Sequence, residues 1–106
     1  MNFLFSDGST GRLFFNYNFD IKKRKVTQCI IEHHNQNKSE ENKVDFAWLG
    51  ITICSKKDTF VKEIGRRIAL SYAVNQISNK QDRKIIWKTY WTHTNQKART
   101  EKMNSR

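Results

Sequence analysis

The hydrophobic pattern of this chain changes period once, near Cys54, and that switch constrains the fold more than any other feature. Before it, apolar residues alternate with polar ones. RLFFNYNFD, residues 12–20, puts Leu13, Phe15, Tyr17 and Phe19 on one side and Phe14, Asn16 and Asn18 on the other. VTQCIIEHH, residues 26–34, is rich in β-formers, and VDFAWLGITIC, residues 44–54, alternates again. In the last run Ala47, Leu49, Ile51 and Ile53 share one face, and Phe46, Trp48 and Thr52 the other. Alternation is the signature of a half-buried strand. Asp20–Lys25 breaks the pattern as a hairpin turn does, and Asn35–Lys43 is a loop without apolar residues. A three-stranded antiparallel meander is the simplest arrangement.

After Cys54 the spacing lengthens to that of a helix. Ser55 is the expected N-cap, with Asp58 in the first turn complementing the dipole. Phe60, Val61, Ile64, Ile68 and Tyr72 fall within an arc of roughly 120°, which predicts the stripe that packs on the sheet. If it covers the Leu49 and Ile51 side, Phe46 and Trp48 lie on the open face. Gly65 at the stripe's edge predicts close approach of another backbone, since glycine within a helix costs about 1 kcal/mol relative to alanine. Leu70, Val74 and Ile77 line the opposite side. They require cover by the C-terminal segment or by another copy of the chain, and with Trp48 and Trp87 they form the expected interface of a homodimer. In RKIIWKTYWTH, residues 83–93, the odd positions Ile85, Trp87 and Trp91 read as a strand. Trp87 and Trp91 are also one helical turn apart, which leaves a short helix open. The expected fold is therefore α+β: three antiparallel strands, one amphipathic helix, and a short C-terminal strand or helix. Residues 1–93 form a single domain, and 94–106 a flexible basic tail.

Charge is the strongest global signal. The net charge is +10, and it is uneven. Residues 1–55 hold seven basic and six acidic side chains, residues 56–93 nine and three, and residues 94–106 four and one. Such a field attracts phosphate-rich partners. The candidate polyanion-binding residues are the run Lys22, Lys23, Arg24 and Lys25, together with Lys56, Lys57, Lys62 and Arg66 on the helix. Lys62 and Arg67 have acidic partners at helical spacing, Asp58 and Glu63, as on any solvated helix. Arg66 projects near Ala69 and Ala73, small side chains that let a flat ligand approach. Lys80, Arg83, Lys84 and Lys88 form a further basic cluster.

Nothing points to catalysis or a cofactor. No nucleophile elbow, phosphate-binding loop, HExxH or paired acidic motif is present. His33 and His34 are adjacent and point to opposite faces of a strand. With Cys29, Cys54 and His93 they follow no metal-ligand spacing. The two cysteines are expected to be reduced thiols. No apolar run approaches a membrane span, Met1–Phe5 is too short for a secretory leader, and a cytoplasmic location is expected.

The segment C-S-x-K-D-x-F-x-K-x-x-G-R-x-I-A is carried by Cys54, Ser55, Lys57, Asp58, Phe60, Lys62, Gly65, Arg66, Ile68 and Ala69. It resembles small β-β-β-α proteins encoded by bacteriophages, closely over 54–69 and loosely over 12–77. The resemblance implies a phage setting and an inhibitor of host defence, of the anti-CRISPR kind. Three strands before a helix opening with Lys56 and Lys57 also resemble the last part of a double-stranded RNA-binding domain, though no N-terminal helix precedes the strands. The expected function is binding of nucleic acid or a host nucleoprotein complex through the basic surface. The alternatives are an oligomeric sponge for a phosphorylated nucleotide, with Arg66 and Trp48 or Trp87 as its clamp, and a structural or assembly protein.

Overall fold

The computed structural model describes residues 1–34, 44–55 and 59–104, with the backbone alone for 96–104. Four strands precede two helices: β1 (Asn2–Leu4), β2 (Thr10–Phe19), β3 (Lys25–His34), β4 (Val44–Ile53), α1 (Lys62–Val74) and α2 (Lys80–Asn104). The strands form one antiparallel sheet in the order β1-β2-β3-β4. The architecture is thus α+β, with one strand and one helix more than the periodicity predicts. β1 is three residues long, too short for a repeating pattern to register. It is placed by Phe3 and Phe5, which are both buried.

Both helices cover the same face of the sheet. Leu13 of β2 and Cys29 and Ile31 of β3 meet Ala69, Leu70, Ala73, Val74 and Ile77 from the α1 region and Ile86 and Tyr90 of α2. This reverses two expectations. The helix stripe that packs is the Leu70, Val74, Ile77 side with Gly65, Ala69 and Ala73, whereas Val61, Ile64, Ile68 and Tyr72 are exposed. On β4 the covered side is that of Phe46, Trp48, Gly50 and Thr52, and Leu49, Ile51 and Ile53 lie on the open face.

Register and close packing explain the reversal. Cys29 lies opposite Gly50 and Thr27 opposite Thr52, so the even residues of β4 share the face that β3 and β2 bury. A bulge then sets the phase at the hairpin end: His33 pairs with Phe46 but His34 with Val44, leaving Asp45 as the extra residue. A Cβ on Gly50 would run into the carbonyl oxygen of Ala69 and lie 2.7 Å from the Ala73 nitrogen. One on Gly65 would lie 2.8 Å from the Thr27 hydroxyl. Two glycines and two alanines therefore bring the α1 backbone onto the β3–β4 pair more closely than a leucine stripe allows.

The helix boundaries differ as well. α1 begins at Lys62, with Val61 at the N-cap and no side-chain cap, rather than at Ser55. Residues 83–93 belong to α2, not to a strand. Ile86 and Tyr90, four apart, are its buried pair, and Trp87 stacks on Trp91 one turn away. Burial at helical spacing overrides the β-propensity of the Ile, Trp and Thr residues. The helix backbone continues to Asn104, across most of the segment assigned from sequence to a flexible tail. Among the described residues no helix is long and apolar enough to cross a membrane.

Candidate polyanion-binding cleft

The basic run at 22–25 sits in the turn between β2 and β3, and Asp20 organises it. The Lys23 N–H donates to the Asp20 carbonyl (2.9 Å), and the Arg24 N–H and Nε donate to the two Asp20 carboxylate oxygens (2.8 and 2.7 Å). The backbone bond from Arg24 is the main cause that holds the Asp20 carboxyl below its ordinary range. Arg24 is thus engaged in building the turn, while Lys22, Lys23 and Lys25 are exposed. Lys23 adopts a positive φ of 62°, a left-handed conformation that a β-carbon disfavours.

On the helix-covered face this turn meets the start of α1. The Lys25 ammonium stands 4.7 Å from the centre of the Phe60 ring, and that of Lys62 4.8 Å from the Tyr17 ring. Phe19, Lys23, Arg24, Lys25, Cys54, Ser55 and Phe60 line an open cleft of about 450 Å³. Phe19 is 68% exposed in its wall. Among the described residues no carboxylate lies within ion-pair distance of Lys22, Lys23, Lys25 or Lys62.

Arg66 belongs to a different environment. Its guanidinium donates to Glu63 at 2.8 Å and to the Tyr17 hydroxyl at 3.2 Å, and the Tyr90 hydroxyl donates to the other Glu63 oxygen at 3.0 Å. The Arg66 bond is the main reason that the Glu63 carboxyl titrates below its ordinary range. Burial opposes the Arg66 charge, but the bonds from its partners outweigh it and raise its pKa. Arg66 therefore ties α1 to β2 and α2. The small residues thought to leave room beside it, Ala69 and Ala73, are buried.

The remaining sequence candidates are dispersed. Lys56 and Lys57 lie outside the described residues. Leu70, Val74 and Ile77 are buried in the core of their own chain and have no surface to offer a second copy. Trp48 packs against Phe5 and Phe46, and Trp87 against Tyr90 and Trp91. Arg66 lines a cavity of about 300 Å³ with Tyr17, Tyr90 and His93, and Trp48 lines another with Phe5, His33 and Phe46. Phe19 and Phe60 are the cleft residues that the sequence reading missed, as is Tyr17, which shares a cavity with Arg66 and holds the Lys62 ammonium over its ring. The signal was there: Tyr17 and Phe19 continue the inward face of β2 beyond its buried part and end at the lysine-rich turn.

A second polar cluster joins the β1–β2 turn to β3 and β4. Ser9 Oγ lies 2.8 Å from His33 Nε2, and His33 Nδ1 lies 3.5 Å from the carboxylate of Asp45, the bulge residue. The order serine–histidine–aspartate suggests a nucleophile, but the hydrogen bonds do not. Ser9 Oγ donates to Asp7 at 2.5 Å, the Ser9 N–H donates to the same oxygen, and the Gly8 N–H is taken by the Phe5 carbonyl. Neither of these two amides is left to stabilise an oxyanion, and the cluster connects the β1–β2 turn with β3 and β4.

Comparison with family models, with curated proteins and with solved structures returned no match for this chain.

Proposed function

We propose that the chain is a non-enzymatic binding protein whose basic cleft takes single-stranded nucleic acid, free or within a nucleoprotein complex. One observation carries this reading: Lys23 and Lys25 line the cleft and Lys62 stands near it, none with an acidic partner among the described residues, and its walls include an exposed phenylalanine. Phosphates then meet Lys23, Lys25 and Lys62, and a base stacks on Phe19, a contact worth ~1–3 kcal/mol. A duplex is a poorer fit, because the cleft presents two rings and a short turn rather than a long cationic track. The likeness of 54–69 to small bacteriophage proteins supports the wider setting, an accessory protein that inhibits a host defence system.

The test is titration of a fluorescent single-stranded oligonucleotide with wild type and with the triple variant Lys23→Gln, Lys25→Gln, Lys62→Gln. The triple variant is expected to bind at least ~10-fold more weakly. Its log–log salt dependence should be shallower by about 2, since each phosphate contact on a single strand contributes roughly 0.7. Equal binding and equal slopes would remove the cleft from the function. A pull-down from bacterial lysate, with and without nuclease, then separates a nucleic-acid target from a protein one.

A further inference from the structure

The strongest feature outside the cleft is the edge of β4, which pairs with no further strand among the described residues. Natural sheets protect an edge strand by shortness, by lysine or proline, or by cover from a helix or loop. The β1 edge is three residues long. β4 has ten residues, from Val44 to Ile53, with no proline, lysine or arginine and a single charge at Asp45. In a chain of net charge +10, this long edge strand has little charge with which to repel a copy of itself.

Its outward hydrogen-bonding groups can be assigned. The Cys54 N–H donates to Lys25 of β3 at 2.9 Å, so the even residues face β3. The Leu49 carbonyl accepts from the Gln76 side chain at 2.7 Å, so the odd residues face outward. Backbone groups of Leu49, Ile51 and Ile53 therefore point away from the sheet. Their side chains, on the open face, are 43% to 48% exposed.

The helix layer has a matching surface. On a helical wheel Val61, Ile68 and Tyr72 project about 180° from the α2-facing side of α1, with Ile64 beside them, so they overhang this edge. They are 38% to 54% exposed.

We infer that β4 pairs antiparallel with β4 of a second copy, joining two sheets into one of eight strands. A two-fold axis through Ile51 sets Ile51 against itself and Leu49 against Ile53, aliphatic against aliphatic. On the other face it sets Gly50 against Thr52, leaving room for the two α1 stripes to meet. The pattern is self-complementary, as an isologous interface must be. The seven apolar side chains expose on the order of 600 Å² per protomer, approaching the ~800 Å² per partner of a standard interface before the backbone is added. A polyanion does not fit there, because β4 offers no cation. Gln76 occupies the Leu49 carbonyl in the single chain, and the second lone pair of that oxygen remains to accept from Ile53 of the partner.

Sedimentation equilibrium between about 1 and 100 μM tests this, with circular dichroism to verify folding. Wild type should be a dimer. Ile51→Lys on the strand and Ile68→Lys on the helix, both at exposed positions, should each give a folded monomer with dimer dissociation strengthened by more than ~10-fold. Phe14→Lys, on the open face but two strands from the edge, should remain dimeric. A monomeric wild type would overturn the proposal, as would folded edge variants that stay dimeric. Loss of the dimer in Phe14→Lys would replace edge pairing by face-to-face packing of the two sheets. Oligonucleotide binding by the monomeric variants, or its loss, reads the cleft separately.

Discussion

Among the described residues, Thr27 and His33 each bury a side-chain polar atom without a hydrogen-bond partner, and Thr27 is the one at the helix–sheet seam. It is fully buried on β3, and its hydroxyl has no hydrogen-bond partner while pressed against Gly65 of α1. A buried hydroxyl without a partner costs roughly 1–3 kcal/mol by mutational measure. Thr27→Val keeps the β-branch and nearly the volume while removing that cost. We expect the substitution to stabilise the fold by about 1 kcal/mol, read as a higher urea midpoint with unchanged slope. A lower midpoint would show that the hydroxyl has a bond to the α1 backbone that the geometry does not reveal. The neighbouring Cys29 shows the same enclosure in a titrating group: burial pushes its thiol up to about 12. It should resist alkylating reagents at neutral pH until the chain unfolds.

Among the elements, the α1–β4 contact decides the fold, and it depends on Gly50. Gly50→Ala places a methyl group against the Ala69 carbonyl and the Ala73 amide, which are backbone and cannot rotate away. The helix must lift off the sheet, and a loss of about 3 kcal/mol or more is expected, at the severe end for one added methyl. Thermal melts that place Gly50→Ala within a degree of wild type would contradict this packing. The same contact explains what the sequence did and did not disclose. The three long strands and the β2–β3 turn were legible because alternation in 12–20 and 44–54, and the β-former content of 26–34, are local properties; the loop assigned to Asn35–Lys43 lies outside the described residues. Which face of β4 is covered was not. Leu49, Ile51 and Ile53 form the more aliphatic side, and only the β3–β4 register puts Gly50 with Cys29 on the covered side. For α1 the error has the same cause: a stripe of large apolar residues was taken for the packing face, whereas the close seam uses Gly65, Ala69 and Ala73. Of the candidate cleft, the exposed lysines Lys22, Lys23, Lys25 and Lys62 were legible as charge, whereas Arg24 is held by Asp20. The site was not legible where it depended on which aromatics the fold brings beside that charge.

At the scale of the whole molecule, charge pulls stability and binding in opposite directions as salt is added. With a net charge of +10 on 106 residues, self-repulsion weakens the compact state, and a Debye length that shrinks from ~30 Å at 0.01 M to ~8 Å at 0.15 M relieves it. The free protein should therefore melt at a higher temperature as salt rises over that range. A saturating single-stranded oligonucleotide stabilises the fold by mass action, about 2.7 kcal/mol at a hundredfold excess over Kd. That gain must shrink as counterions compete for Lys23, Lys25 and Lys62. The two melting curves should converge from opposite sides, the free protein rising and the complex falling toward it. The Lys23→Gln, Lys25→Gln, Lys62→Gln variant should show the rise, reduced because three charges are gone, and little of the fall. A complex whose melting temperature climbs in parallel with the free protein would mean that the oligonucleotide is held by contacts other than its phosphates.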